Sequence, residues 1–375
     1  MSRTAVERLL TEAARSARVP GAIVLARGPD GAEIGGAFGR RSMAAPQAMT
    51  MDTVVWIASM TKLVTTVAAL QLVAEGRLAL ETPVAAWLPA FADLPILEGH
   101  DAQGDPILRP GVRPVTIRHL LTHTSGLGYT FTDAELGRYA RAQGLGPGDS
   151  HRLPRRFEAG EAWLYGVNTD WLGEVIAAVV GETLDVYLAR RLFQPLGMSD
   201  TGFAPRPDQA DRTAAIHARL ADGGLAPMPF ALPPPPHFMM GGGGLYATAP
   251  DYLKFLTALM EPGRLLPPDL TSALFDGAVG DLDAGDMISS EPSLTRDYRP
   301  LGDAPKTWSL GLLVNRERGP DGRSAGSGAW AGLGNCYYWV DPKAGVAGVC
   351  LTQILPFADP DALDLAAAFE RAVYS

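Results

Sequence analysis

Cysteine is nearly absent from this chain. Cys336 and Cys350 are the two in 375 residues, so a small disulfide-stapled scaffold is excluded. Buried free thiols are the expectation for both. Charge is also sparse: charged residues make up 19% and the net charge is -9, with no basic stretch. That balance argues against a nucleic-acid partner. No apolar run approaches the ~20 residues of a membrane-spanning helix. The opening residues, Met1-Ser2-Arg3-Thr4-Ala5-Val6-Glu7-Arg8, lack the apolar core of a secretion signal. A cytoplasmic location with no membrane partner is therefore expected. No Gly-x-Ser-x-Gly occurs, which disfavours a nucleophile elbow of the α/β-hydrolase kind. His119 and His123 stand four apart, but no Glu occupies the His-Glu-x-x-His position and helix breakers follow. No metal and no other cofactor is expected.

What remains is a globular chain, 47% hydrophobic, long enough to bury a sizeable core. Its most informative stretch is Trp56-Ile57-Ala58-Ser59-Met60-Thr61-Lys62. This closes with Ser-x-x-Lys and runs into an apolar helical pattern: Leu63, Val64, Val67, Leu70, Leu72 and Val73. The helix is expected to end near Glu75, with Gly76 as a left-handed stop. Residues three apart share a helix face, about 4.5 Å apart along the axis. Ser59 then sits at the helix N-terminus with the Lys62 amine one turn behind it. A serine hydroxyl is a weak nucleophile until a base takes its proton, and an adjacent amine can be that base.

Along the chain, residues 3–17 read as an amphipathic helix. Gly21 to Gly28 and Ala32 to Phe38 read as strands joined by the turn Pro29-Asp30-Gly31. From Leu80 to about Leu232 the texture is helical, broken by Pro and Gly loops, with 93–114 read as a loop. Thr116 caps Ile117–Leu121, Asn168 or Thr169 opens a helix to Val180, and Thr183 caps the next. Pro233–Pro236 reads as a stiff linker. Gly241–Gly244 lacks the frame of a phosphate cradle and reads as backbone needing close approach. A helix starts at Pro250, and 278–306 reads as a flexible polar excursion. Trp308 to Arg316, Asn335 to Val340 and Val346 to Ile354 read as strands, and Pro360 to Val373 as a closing helix. The expected fold class is α+β, an antiparallel sheet flanked by terminal helices plus a mainly helical lobe. The division is residues 1–80 with 233–375, and residues 81–232, with a site between them.

With these residues in hand, the chain resembles the serine β-lactamase-like superfamily over about residues 5–370. The β-lactamase/penicillin-binding-protein-like fold is what that resemblance implies. The match is to class C β-lactamases, D-alanyl-D-alanine carboxypeptidases and, most closely, family VIII carboxylesterases. It is carried, in order, by Ser59-Met60-Thr61-Lys62, His119-Leu120-Leu121-Thr122-His123-Thr124-Ser125-Gly126-Leu127 and Phe157-Glu158-Ala159-Gly160-Glu161-Ala162-Trp163-Leu164-Tyr165. Pro195-Leu196-Gly197-Met198, Gly242-Gly243-Gly244-Leu245 and Trp330-Ala331-Gly332-Leu333 complete it.

The resemblance implies roles. Ser59 is the acylated nucleophile, Lys62 and Tyr165 share the base work, and the amides of Ser59 and Leu333 form an oxyanion hole. Trp330, Gly332, Val167, Gly243 and His123 line the substrate cleft. Two departures bear on the substrate. The relatives' Tyr-x-Asn is here Tyr165-Gly166-Val167, with Asn168 one place late, and Trp330 stands where penicillin-recognising relatives carry a Lys. Losing a cation and an amide disfavours anionic β-lactams and peptides. A small-molecule ester with a short to medium acyl group is the expected substrate, cleaved through an acyl-Ser59 intermediate. An acyltransferase using the same intermediate, a β-lactamase or D-amino-acid peptidase, and a catalytically silent binding protein on this scaffold are the alternatives.

Overall fold

The computed structural model describes residues 1–230, 232 and 239–375. The expected linker Pro233–Pro236 lies outside the described residues. Both ends of the chain build one seven-stranded antiparallel sheet. Its strands are β1 (Gly21–Arg27), β2 (Glu33–Gly39), β3 (Lys306–Trp308), β4 (Leu313–Asn315), β5 (Gly328–Gly332), β6 (Cys336–Asp341) and β7 (Val346–Leu351). In space they run β2-β1-β7-β6-β5-β4-β3. The six helices that matter here are α1 (Arg3–Ser16), α2 (Thr61–Ala74), α3 (Ile117–Leu121), α4 (Asn168–Val180), α5 (Ala249–Met260) and α6 (Pro360–Tyr374). This is the mixed helix-and-sheet architecture that the resemblance implies.

Register places the layers. Successive side chains on a strand point to opposite faces. Trp339 meets Phe369 of α6 at 5.7 Å between ring centroids, whereas its neighbour Tyr338 meets Tyr252 of α5 at 5.4 Å. The terminal helices α1 and α6, packed on each other, therefore cover one face, and α5 covers the other. Cys336 pairs with Leu351, and Cys350 pairs with Tyr337. The two thiols thus face opposite sides of the sheet. Both are free and buried, and burial pushes the Cys336 thiol up to about 12.

Helix α2 runs through the interior. Every residue from Thr61 to Leu72 is buried, as its nearly continuous apolar sequence requires. It packs against α4. One continuous apolar core, from Val6 to Val373, joins the sheet side and the helical side.

Three expectations need correction. Residues 93–114 are not all loop, because Ile96–His100 and Pro106–Arg109 pair as a hairpin. Trp308 to Arg316 is not one strand. Lys306–Trp308 and Leu313–Asn315 fold back on each other, with Leu313 opposite Trp308. The reversal is held by the Leu312 amide donating to Ser309 Oγ at 3.1 Å, and Gly311 passes where a Cβ would lie 2.7 Å from Thr66. Residues 278–306 are irregular but tied down. Ala284, Met287 and Thr295 are buried, and Ser290 donates to the carbonyls of Phe131 and Thr130. Apolar residues at intervals too irregular for helix or strand carry that segment.

Trp339 lies across Gly348, where a Cβ would come 2.2 Å from its ring. Gly348→Ala should overpack this layer and cost about 1–3 kcal/mol, read as a lower thermal midpoint. An unchanged midpoint would show that the layer yields freely.

Candidate functional site

Ser59 lies in a short 3-10 turn, Ala58–Met60, that runs directly into α2. The residue before it, Ala58, has a φ of 46°, a left-handed conformation that costs a non-glycine residue roughly 1–2 kcal/mol. The surroundings hold it there. Ile57 donates its amide to the Leu245 carbonyl at 3.0 Å. Thr61 Oγ1 donates to the Ala58 carbonyl at 2.6 Å and accepts from the Leu245 amide at 3.1 Å. Tyr252 of α5 donates to the Met60 carbonyl at 2.8 Å.

Lys62 is 3% exposed. Its Nζ has three acceptors: Ser59 Oγ at 3.2 Å, Tyr129 Oη at 2.9 Å and the Gly242 carbonyl at 2.7 Å. An ammonium has three protons to donate, so every one is satisfied. Tyr165 is reached differently. Lys62 Nζ sits over its ring, 4.7 Å from the centroid, and the Tyr165 oxygen accepts from Trp330 Nε1 at 2.9 Å. Trp330 thus faces Tyr165, inside an aromatic group with Trp308 and Trp163.

Strand β5 meets the Ser59 turn closely. A Cβ on Gly332 would stand 2.2 Å from the Ile57 carbonyl oxygen, so only glycine permits the approach. Leu333 follows at the strand end, half-buried. It joins a second apolar cluster centred on Trp56, Ala58, Ile216 and Leu355, with Met228, Phe230, Leu232, Tyr246 and Leu294 packed around it. An apolar wall thus borders Ser59.

The glycine run is a brace. The Gly241 carbonyl accepts from Thr65 at 2.7 Å, the Gly242 carbonyl from Lys62, and the Gly243 carbonyl from Trp56 Nε1 at 2.7 Å. Gly243 therefore presents backbone to Trp56. His123 and Val167, expected in the cleft, are each 1% exposed. His123 backs the Tyr165 ring at 5.0 Å between centroids, and its Nδ1 bonds the Asn168 side-chain nitrogen at 2.9 Å. Burial, then the charge of Lys62, hold this imidazole well below its ordinary pKa, so it is neutral. Val167 packs into the core. Asn168 is wholly buried and also bonds Ser125 Oγ and the Leu127 carbonyl. It ties a loop together and stands away from any substrate. Gly166 fits because a Cβ there would lie 2.3 Å from the Leu127 carbonyl oxygen.

Sequence reasoning missed two residues. Tyr129, just after the Thr124–Gly128 turn, bonds Lys62. Asp170, 2% exposed in the first turn of α4, accepts the Gly242 amide at 2.9 Å and lies close enough to Tyr129 for its charge to act on that hydroxyl. Burial raises both their pKa values. An acidic residue in a helix first turn is unremarked by pattern, since the helix dipole alone accounts for it. His119, the other histidine of the pair, receives the Thr116 amide at 3.0 Å on Nδ1. Among the described residues no group of three or more His, Cys, Asp or Glu could hold a metal.

A half-buried Ser59 beside a buried Lys62, at the start of a core helix that packs by the sheet, fits a serine-hydrolase-type enzyme of the β-lactamase-like superfamily. The chain belongs to the Beta-lactamase family, whose model matches residues 6–372. It is 31% identical to monacolin J acid methylbutanoyltransferase of Aspergillus terreus over 393 residues, covering 99% of this chain and 95% of that protein. It is 30% identical to lovastatin esterase of Penicillium rubens over 382 residues, covering 95% and 94%. The structure of simvastatin synthase (LovD) from Aspergillus terreus, unliganded, superposes with a TM-score of 0.86 at 30% identity, covering 99% of this chain and 97% of that one. Among the described residues no helix is long and apolar enough to cross a membrane.

Gly332→Ala should push β5 away from the Ser59 turn. Labelling of Ser59 by a fluorophosphonate probe is expected to slow roughly 100-fold, the scale of a lost oxyanion donor, with the far-ultraviolet spectrum retained. Labelling at the parent rate would mean the close approach does not position the site.

Proposed function

We propose that this enzyme transfers acyl groups from carboxylic esters through an acyl-Ser59 intermediate, with water as the principal acceptor. The observation that carries the reading is the Lys62 Nζ–Ser59 Oγ contact of 3.2 Å inside a buried, fully hydrogen-bonded amine site. When Lys62 is neutral, its two remaining N–H groups can keep the bonds to Tyr129 and Gly242, and its lone pair faces Ser59 Oγ. Ser59 attacks the ester carbonyl as its proton passes to Lys62. Tyr165, its oxygen receiving the Trp330 N–H, takes part in that transfer beside the Lys62 charge. The tetrahedral oxyanion forms at the amides of Ser59 and Leu333. The proton returns to the leaving alkoxide, which departs as the alcohol. Water then attacks the acyl-enzyme by the same route and releases the acid.

The apolar wall of Phe230, Met228, Leu294 and Leu333 suits a hydrocarbon acyl or alcohol group. Trp330 at the position of the relatives' Lys removes the cation that would grip a substrate carboxylate, which disfavours β-lactams. The second reading is transfer to an alcohol in place of water. It is favoured by likeness to a methylbutanoyltransferase as well as an esterase. The two buried free thiols support a reducing compartment, the cytoplasm.

The test is turnover of p-nitrophenyl esters of increasing chain length and one chromogenic cephalosporin, with and without added alcohols. Ester turnover is expected to fall at least about 1,000-fold in Ser59→Ala, with little cephalosporin hydrolysis. Transfer products rising at the expense of free acid would assign the acyltransferase reading. A Ser59→Ala protein that keeps the parent rate ends both.

A further inference from the structure

We propose that Asp170 is a positioning residue that holds Lys62 and sets the pH at which Ser59 becomes nucleophilic. The inference rests on the acyl-Ser59 reading above and adds a residue that its covalent steps do not use.

The geometry is specific. Of the three acceptors around Lys62 Nζ, the Gly242 carbonyl belongs to a residue held by Asp170, and Tyr129 Oη stands beside the same carboxylate. Asp170 Oδ1 accepts the Gly242 amide at 2.9 Å, and the Asp170 charge reaches the Tyr129 hydroxyl and helps to raise its pKa. Gly242 is thus pinned at its amide by Asp170 and at its carbonyl by Lys62. A Cβ on Gly242 would lie 2.6 Å from Asp170 Oδ2, so glycine is what lets the carboxylate come this close. The neighbouring Gly241 carbonyl is fixed by Thr65, one turn along α2 from Lys62.

An asparagine in this place could still accept the Gly242 amide. What a carboxylate alone adds is negative charge opposite a buried amine. The other groups facing the pair do not supply it. From the Ser59 turn comes a neutral hydroxyl. From the loop after α3 comes Tyr129, kept protonated by burial and by Asp170 itself. The Tyr165 ring lies under Nζ, and His123 is a buried neutral imidazole. Glu174, one turn further along α4, has its carboxyl pushed up by burial and touches none of the Lys62 acceptors. Asp170 therefore balances the Lys62 charge across one hydrogen-bonded arm, through Gly242, with Tyr129 Oη beside it. Removing its charge takes away the negative charge opposite the base that activates Ser59.

The experiment is the rate of Ser59 labelling by a fluorophosphonate across pH 5–10, on the full chain. In that reaction the serine oxygen–phosphorus bond forms, fluoride leaves, and the hydroxyl proton passes to the base. For Asp170→Asn the acid limb of the profile should move down by about one pH unit, with the near-ultraviolet spectrum unchanged. Tyr129→Phe removes the hydroxyl that stands beside the carboxylate and accepts from Lys62, and should move the limb in the same direction. In the double variant the two shifts should sum to less than their separate values, because they act through one connection. A folded Asp170→Asn whose limb stays in place overturns the proposal. If Asp170→Asn does not fold, an unmoved limb in Tyr129→Phe overturns it instead. Absence of labelling in the parent protein refutes the acyl-Ser59 reading itself and the proposal with it.

Discussion

A lysine amine buried to 3% exposure is the constraint on which the rest of the site depends. Taking an ammonium out of water is costly unless it is hydrogen-bonded and balanced by opposite charge. Lys62 meets both conditions, but its partners come from places far apart in the chain: Ser59, Tyr129, Gly242 and, behind them, Asp170. To bring these together the backbone must pass itself at distances that forbid a Cβ. Gly332 passes Ile57, Gly166 passes Leu127, and Gly242 passes the Asp170 carboxylate. Each glycine is a place where two segments close on the amine. The strained Ala58 belongs to the same account, since its left-handed turn aims Ser59 back toward Lys62.

The scaffold explains why this assembly stays rigid. Helix α2 is buried on all sides, between the sheet side and α4. Its N-terminal turn is bonded by Tyr252 from α5 and by Leu245 from the glycine run. The same run bonds Thr65, Lys62 and Trp56 in succession. Preorganisation of this kind matters to acyl transfer because donors already in place need not reorganise as charge develops.

Much of this was legible in the sequence, and the limits have physical causes. Elements with local signals read correctly: α1, the first hairpin about Pro29-Asp30-Gly31, α2 with its Gly76 stop, and the closing helix. The Ser59–Lys62 spacing was legible because helix geometry alone relates residues three apart. The hairpin inside Trp308–Arg316 was not. Ser309-Leu310-Gly311-Leu312 looks like a continuing apolar strand, and its reversal depends on Gly311 meeting Thr66 of a distant helix. Nor were Tyr129 and Asp170 legible. Which way a first-turn aspartate or a loop tyrosine faces is decided by packing, and pattern carries no record of it. His123 misled for the same reason. It lies in the right loop but turns beneath Tyr165.

Trp330, at a position where the resemblance leads one to expect a Lys, does more than omit a cation. The indole N–H still donates toward the site, but to Tyr165 Oη at 2.9 Å, and it brings no charge. A second buried cation beside Lys62 would need a second anion, and Asp170 already accepts the Gly242 amide. A neutral donor adds no charge beside Lys62. It also adds its ring to Trp308 and Trp163, so the floor of the site becomes aromatic. The site thus combines one buried amine, a neutral donor and an apolar wall.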